Sequence, residues 1–266
     1  MWCRKTPSKN QAVHAVKATP FAPPELVRRF EEMAKAQGFR SEFFATVDAC
    51  PMIALTRRRS GPRPRIYLSS GIHGDEPAAP LALLRLLEQG FFDDRAVWFL
   101  VPMLNPSGFR RHTRENSGGH DLNRDYREPQ TMEVSAHIGW LQAQPGFDVS
   151  FCLHEDWEAT GFYLYELNPQ QSPSLAESMI SAVAHHFAID RNPVIDGRPA
   201  CDGVIRPESD PAQRDRWPEA IYLRAHHTSL CYTLESPSAF SLSDRIEMLT
   251  LAVRAGLHHF LLRRSP

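Results

Sequence analysis

The segment from Ile66 to Glu88 constrains this chain more than any other. Ile66-Tyr67-Leu68 is an apolar run that reads as a buried strand, and Gly71 and Gly74 break it. Asp75 and Pro77 then supply helix-start chemistry, and Leu81, Leu84 and Leu87-Glu88 continue at helical spacing. The sharp turn between strand and helix carries His73 and Glu76. In open α/β sheets ligands gather outside the carboxyl ends of the strands, so this turn points where a site belongs. An imidazole and a carboxylate three residues apart can hold two corners of a zinc ion.

The rest of the chain repeats the alternation. A helix is expected over Glu25–Gln37, ending at Gly38, followed by a hairpin of Phe43–Val47 and Met52–Thr56. Strands are expected at Ile66–Ser69, Val97–Val101, Val149–Leu153, Phe162–Glu166 and Leu230–Leu234. Helices are expected at Pro77–Gln89, at Pro129–Ala143, from a Ser174/Glu177 capping box to Phe187, and from Leu242 onward. The last places Ile246, Leu249, Val253, Leu257 and Phe260 on one stripe. This order predicts an α/β three-layer sandwich, a twisted, mixed, mostly parallel sheet with helices on both faces. Residues 1–24, polar and with Pro20, Pro23 and Pro24, read as a loosely held lead-in, and 25–266 as one catalytic domain. Two irregular stretches, 102–128 and 191–219, interrupt the pattern, and loops of that length are functional or disordered.

Composition excludes several classes. A formal net charge of -1 argues against a phosphate-driven nucleic-acid binder. The Arg57-Arg58-Arg59 cluster reads as a solvated hairpin tip. Five scattered cysteines without a C-x-x-C pair indicate neither a zinc ribbon nor a disulfide scaffold, and Cys152 and Cys231 read as small core residues. No apolar stretch approaches membrane-spanning length, and no apolar region follows Arg4 and Lys5 as in a signal peptide, so a cytoplasmic location is expected.

A His-x-x-Glu pair is weak evidence by itself, since His112-Thr113-Arg114-Glu115 matches it too. That second pair lies in a charged loop with no buried strand before it, whereas His73 and Glu76 follow one. A catalytic zinc wants a third protein ligand and an open position. Phe151-Cys152-Leu153-His154-Glu155-Asp156 runs an apolar strand straight into a histidine and two acids, so His154 is the candidate. Alone it reads equally well as a satisfied strand-end histidine; beside His73 and Glu76 the ligand reading is the better one. Glu155 or Asp156 is a candidate to hold an imidazole tautomer. Glu235, ending the run Tyr232-Thr233-Leu234, is a candidate base for water, or else an acid complementing the next helix. The long loop supplies guanidiniums suited to a carboxylate or an oxyanion, and Arg110 and Arg111 read as solvated.

Taken in order, His73-Gly74-Asp75-Glu76, Asn105-Pro106-x-Gly108, Arg114, Asp121-Leu122-Asn123-Arg124, His154 and Glu235 resemble the zinc carboxypeptidase family of the carboxypeptidase A type. The spacing from Thr113 to Arg124 is most similar to its bacterial branch that includes murein-peptide amidases. The resemblance implies one Zn2+ per chain held by His73, Glu76 and His154, with Glu235 as general base and Arg114 on the scissile carbonyl. Asn123 and Arg124 would bind the terminal carboxylate of a small peptide, a cell-wall peptide among the candidates. The family's substrate-clamping tyrosine has no counterpart in residues 191–219, where Trp217 and Arg214 are candidates; Tyr222 sits where a strand is expected to begin.

The implied activity is therefore that of a zinc metallocarboxypeptidase or amidase. The alternatives are an N-acyl amino acid deacylase of the aspartoacylase and succinylglutamate desuccinylase type, and a non-catalytic peptide-binding module on the same fold.

Overall fold

The computed structural model describes residues 22–207 and 213–263. The chain begins with α1 (Pro23–Ala36), the hairpin β1 (Arg40–Val47) and β2 (Cys50–Arg57), then β3 (Arg65–Ser69), α2 (Ala78–Glu88) and β4 (Val97–Val101). The first long loop contains a short helix, α3 (Pro106–Arg111), and a 3-10 turn at Leu122–Arg124, followed by α4 (Met132–Gln142). Next come β5 (Val149–Asp156), β6 (Tyr163–Leu167) and α5 (Ala176–Ala184). The second loop holds β7 (Val194–Ile195), β8 (Arg198–Pro199) and β9 (Val204–Ile205). It leads into α6 (Glu219–His226), β10 (Cys231–Pro237) and α7 (Leu242–Leu262).

Eight strands form one sheet in the order β1-β2-β4-β3-β5-β10-β6-β9. The centre is parallel: β4, β3, β5 and β10 pair in one direction, and the antiparallel partners lie outside them. Both faces are covered, which is why the central strands are near-continuous apolar runs. Successive residues alternate between two cores. Ile66 and Leu68 join Phe151, Leu153, Tyr232 and Leu234 under α1, α2, α5 and α7. Tyr67, Cys152 and Cys231 face the other way, against Val134 and Trp140 of α4 and Ile221 of α6. The expected mixed sheet with helices on both faces is what the chain forms, and Leu249, Val253 and Leu257 are fully buried along α7.

Several boundaries differ. Residues 1–21 of the expected lead-in lie outside the described residues, while Pro23 and Pro24 open α1, where a ring with fixed φ suits the first turn. The Ser174/Glu177 capping box does not form as such: Leu175 is the N-cap residue, without a side-chain cap, and Glu177 turns to pair with Arg206. The helix it opens ends at Ala184, short of Phe187. Tyr222 lies within α6, not at a strand start. Arg57 and Arg59 close on Asp94 in the loop before β4, so that end of the hairpin is pinned. Among the described residues, no helix is long and apolar enough to cross a membrane.

Candidate functional site

Three neighbouring parallel strands deliver the site. β3 ends at Ser69 and turns through Gly71, at φ +67°, to His73 and Glu76. β5 runs on through His154, and β10 sets Glu235 directly beside it in register. Parallel pairing places these carboxyl ends at one level, outside the sheet, as the topology requires.

The ligand turn is fixed by close backbone packing. A Cβ on Gly74 would come 1.9 Å from the carbonyl carbon of Gly108, so the turn rests on the start of α3. Asn105 locks the contact. Its side-chain amide donates to the carbonyls of Ile72 and Arg114, both at 3.2 Å, and its oxygen accepts from Gly108 N–H at 2.8 Å. One asparagine thus ties the turn carrying His73 to the loop carrying Arg114. Asn116 shapes the rest of that loop, accepting from the N–H groups of Gly118 and His120.

His73, Glu76 and His154 are all buried, and their candidate ligand atoms lie within 4.8 Å of one another. Nδ1 of His73 is 2.5 Å from one Glu76 oxygen, and Nδ1 of His154 is 2.9 Å from the other. Nε2 of His73 meets Asp121 at 3.3 Å on its far side. A neutral imidazole that gives its proton to Asp121 presents a lone pair, not a proton, to Glu76. Converging lone pairs at such distances call for a cation between them, and two imidazoles with one carboxylate are a set zinc accepts. Burial alone would lower the pKa of His73, but the Glu76 and Asp121 carboxylates outweigh it and raise it to about 9. Burial works against the Glu76 carboxylate too, and the two imidazoles overcome it, holding its pKa well below the usual range. Every shift thus marks a place where positive charge is wanted.

Arg114, half-buried, donates to Asp121 at 3.0 Å and directs Nη1 to within 3.7 Å of Glu76. Glu235 has its pKa raised well above the ordinary carboxylate value, chiefly by burial, with His154 opposing and Glu76 and Asp156 adding to the rise. All of these except Asp121 line a cavity of about 500 Å³, together with Asn123 and Arg124. The seven residues singled out in the sequence are therefore gathered at one cavity. Asn123 spends its side-chain oxygen on the Glu219 N–H, at 2.9 Å, which ties it to the start of α6. Arg124 is exposed at the rim.

Other expectations need correction. Glu155 points away from the ligands, accepting from Ala78 N–H at the start of α2 and pairing with Arg245. Asp156 accepts from the Tyr163 hydroxyl at 2.9 Å. The residue that holds the His73 imidazole is Asp121, which the sequence displayed only inside the Asp-Leu-Asn-Arg run. Of the two clamp candidates, Arg214 lines the cavity, whereas Trp217 packs against the second core. His112 and Glu115 gather no ligand set; His112 caps α3 in the left-handed conformation. Reasoning from strand ends also passed over Glu219, whose buried carboxylate accepts from Tyr67 and Ser69 beneath the site. Nothing in its local sequence marks it.

The sequence model of the succinylglutamate desuccinylase/aspartoacylase catalytic domain matches residues 62–192, a span that includes His73, Glu76, Arg114, Asp121, Asn123, Arg124 and His154 but not Glu235. Carboxypeptidase D of Anas platyrhynchos is 27% identical over 192 residues, which is 53% of this chain and only 13% of that much longer protein. Among solved structures, a candidate metallopeptidase of Shewanella denitrificans superposes with a TM-score of 0.77 at 24% identity, covering 88% of this chain and 89% of that one. The metallo-carboxypeptidase of Burkholderia cenocepacia gives 0.66 at 18% identity over 91% and 70% of the two chains. That of Pseudomonas aeruginosa, in complex with (2-guanidinoethylmercapto)succinic acid, gives 0.68 at 19% identity, again over 91% and 70%. At these identities the structures show the fold, which this chain shares with these metallopeptidases and metallo-carboxypeptidases.

Proposed function

We propose that the protein is a zinc-dependent metallocarboxypeptidase or amidase that cleaves the amide bond preceding a residue with a free carboxylate. The observation that carries this reading is the arrangement of one cavity: the His73, Glu76 and His154 donors lie at the strand ends, Glu235 is beside His154, and Asn123 and Arg124 lie on the lining. A zinc ion held by the three donors would supply Lewis acidity to the attacking water and the scissile carbonyl. Asp121 fixes the His73 ring so that Nδ1 faces Glu76 and would be free to hold the metal. Glu235 takes the proton from the attacking water as the carbon–oxygen bond forms. Arg114 steadies the developing oxyanion. Glu235 then returns the proton to the leaving nitrogen as the carbon–nitrogen bond breaks, giving a carboxylate and an amine. Asn123 and Arg124 would grip the terminal carboxylate through the asparagine amide and the guanidinium fork.

A deacylase that frees an amino acid from a small N-acyl group is the second reading, favoured by the catalytic-domain model that matches residues 62–192. Both readings share the machinery and differ in the acyl half.

The test is metal analysis followed by mass spectrometry of products from peptides, a cell-wall tripeptide ending in diaminopimelate, and N-acyl amino acids. Zinc at one per chain and loss of one C-terminal residue support the peptidase. Turnover of N-acyl amino acids alone supports the deacylase, and zinc binding without turnover rejects both in favour of a binding module. In the Arg124→Ala variant, activity should fall selectively on free-acid substrates; an equal fall on amidated ones removes Arg124 from the carboxylate site.

A further inference from the structure

The side chain of Asn123 is held at one end only. Its oxygen accepts from the Glu219 N–H at 2.9 Å, while its nitrogen donates to none of the described residues and is left to the cavity that Asn123 lines. A backbone N–H can only donate, so this one hydrogen bond decides which way round the amide sits. A second tie joins the same two segments, from the Tyr126 N–H to the Trp217 carbonyl at 3.2 Å. The aim of Asn123 therefore depends on where the chain at Glu219 is held. Pro218, Ala220 and Ile221 line the cavity, whereas Glu219 between them is 1% exposed and turns its side chain inward. Among the described residues its carboxylate forms no ion pair. One oxygen accepts from the Tyr67 hydroxyl at 2.6 Å, the other from the Ser69 hydroxyl at 2.9 Å. Burial pushes its pKa up, and the two hydroxyls oppose the rise. Tyr67 gives its only proton to Glu219, so its oxygen accepts from Nε2–H of His137, 3.0 Å away. Nδ1 of His137 in turn accepts from the Tyr126 hydroxyl at 2.7 Å. The four groups make one directed chain from the segment bearing Asn123, through α4 and β3, to the start of α6.

A buried carboxylate without a cation is costly, and an acid that only favoured the helix start would sit in water. We propose that Glu219 is a positioning residue: its carboxylate fastens the start of α6 to β3, and its N–H then aims the Asn123 amide at the substrate's terminal carboxylate. β3 also leads into the turn that carries His73 and Glu76. One buried acid thus fixes the span between the metal donors and the group that grips the substrate's end, as preorganised sites require. The proposal rests on the reading of Asn123 as part of a carboxylate-recognising amide hydrolase, and adds a residue that acts without touching the substrate.

Two readouts on the full chain separate the two claims. Amide hydrogen exchange over residues 121–126 and 217–223, read by mass spectrometry, reports the tie without turnover. Hydrolysis of paired peptides by the zinc-loaded protein, one ending in a free carboxylate and one amidated, reports its use. Glu219→Ala should speed exchange in these two segments and not in the central strands. It should also lower the free-acid preference by about tenfold or more, mainly through KM, as loss of a charge-assisted hydrogen bond requires. Glu219→Gln keeps an oxygen for the Tyr67 hydroxyl and should restore most of both. Ser69→Ala removes one tether, should shift both readouts the same way by less, and serves where the alanine variant does not fold. Asn123→Ala should match the loss in preference, and adding Glu219→Ala to it should lower that preference no further, because a positioning residue acts only through what it positions. A free-acid preference unmoved in Glu219→Ala overturns the proposal, as do losses that multiply in the double variant. Exchange that rises throughout the sheet, with Gln no better than Ala, makes Glu219 a stabilising residue alone and overturns it too. A parent that treats both peptides alike or cleaves neither, with exchange linked as expected, sinks the carboxylate reading and leaves Glu219 as what holds Asn123.

Discussion

Two parts of the cavity lining are held by different means, the donor wall on the sheet and the second-loop residues Arg198 and Arg214. His154 and Glu235 sit on adjacent, fully paired central strands, with α6 and α4 packed beneath them. Arg198 and Arg214 ride on a loop braced by two-residue strands and by a hydrogen bond from Arg127 to the Arg214 carbonyl. The difference teaches where each job is placed. Groups that must meet within a few ångströms are set at the ends of paired strands, whereas the rest of the lining is set on a loop, where chain length and sequence can vary without disturbing the core.

If that division is right, the largest single effect belongs to the donor wall. Glu235→Gln should lower kcat by about 10²–10⁴-fold while zinc content and product binding persist, because it removes the proton carrier and little else. A kcat within a few-fold of the parent would show that the base lies elsewhere and would break the comparison. Next comes the support of that wall. Gly74→Ala drives a methyl into the backbone of Gly108 and should cost about 1–3 kcal/mol or more, together with zinc retention. Gly139→Ala, on the exposed face of α4 with open space around it, should instead stabilise by about 0.5–1 kcal/mol. Urea unfolding of both variants sharpens the contrast, and equal effects would deny the close approach its role.

The last expected effect lies beneath the donors and shows only in acid. His137 is buried between the hydroxyls of Tyr67, 3.0 Å away, and Tyr126, 2.7 Å away, and burial, reinforced by His227, lowers its pKa to about 3. Its folded value is thus below the unfolded value of about 6.5, so the unfolded chain takes the proton first as the pH falls. The stability this residue protects is present above pH ~6.5 and is lost on the way down toward pH ~3, approaching about 1.4 kcal/mol per pH unit within that window. Denaturation from pH 7 to 4 should show a shallower loss in His137→Gln than in the parent. Parallel curves would mean that His137 charges in the fold.

The same division explains what could be read in advance. Runs such as Ile66-Tyr67-Leu68 and Phe151-Cys152-Leu153 announce strands buried on both faces, and the residues ending them announce a site, because sheet geometry converts sequence order directly into position. Loop residues have no such rule. Asp121 acts on His73 from 48 positions away through a 3-10 turn that no periodicity encodes. Glu155 and Asp156 looked apt beside His154, but strand alternation sends Glu155 to the opposite face and Asp156 is taken up by Tyr163. Arg198 and Arg214 lie apart in sequence, and only folding brings them to one cavity. Glu219 opens a helix, where an acid looks ordinary, and its burial against Tyr67 is visible only in three dimensions.

The contact between Gly74 and Gly108 has a consequence for anyone rebuilding this site. Because Asn105 fastens the same two segments, the ligand turn and the arginine-bearing arm behave as one part. Grafting either onto another scaffold without its mate would carry the side chains and leave behind the geometry that makes them useful. The transferable module is therefore discontinuous, a pair of facing backbones, Gly74 and Gly108, that lie far apart in sequence.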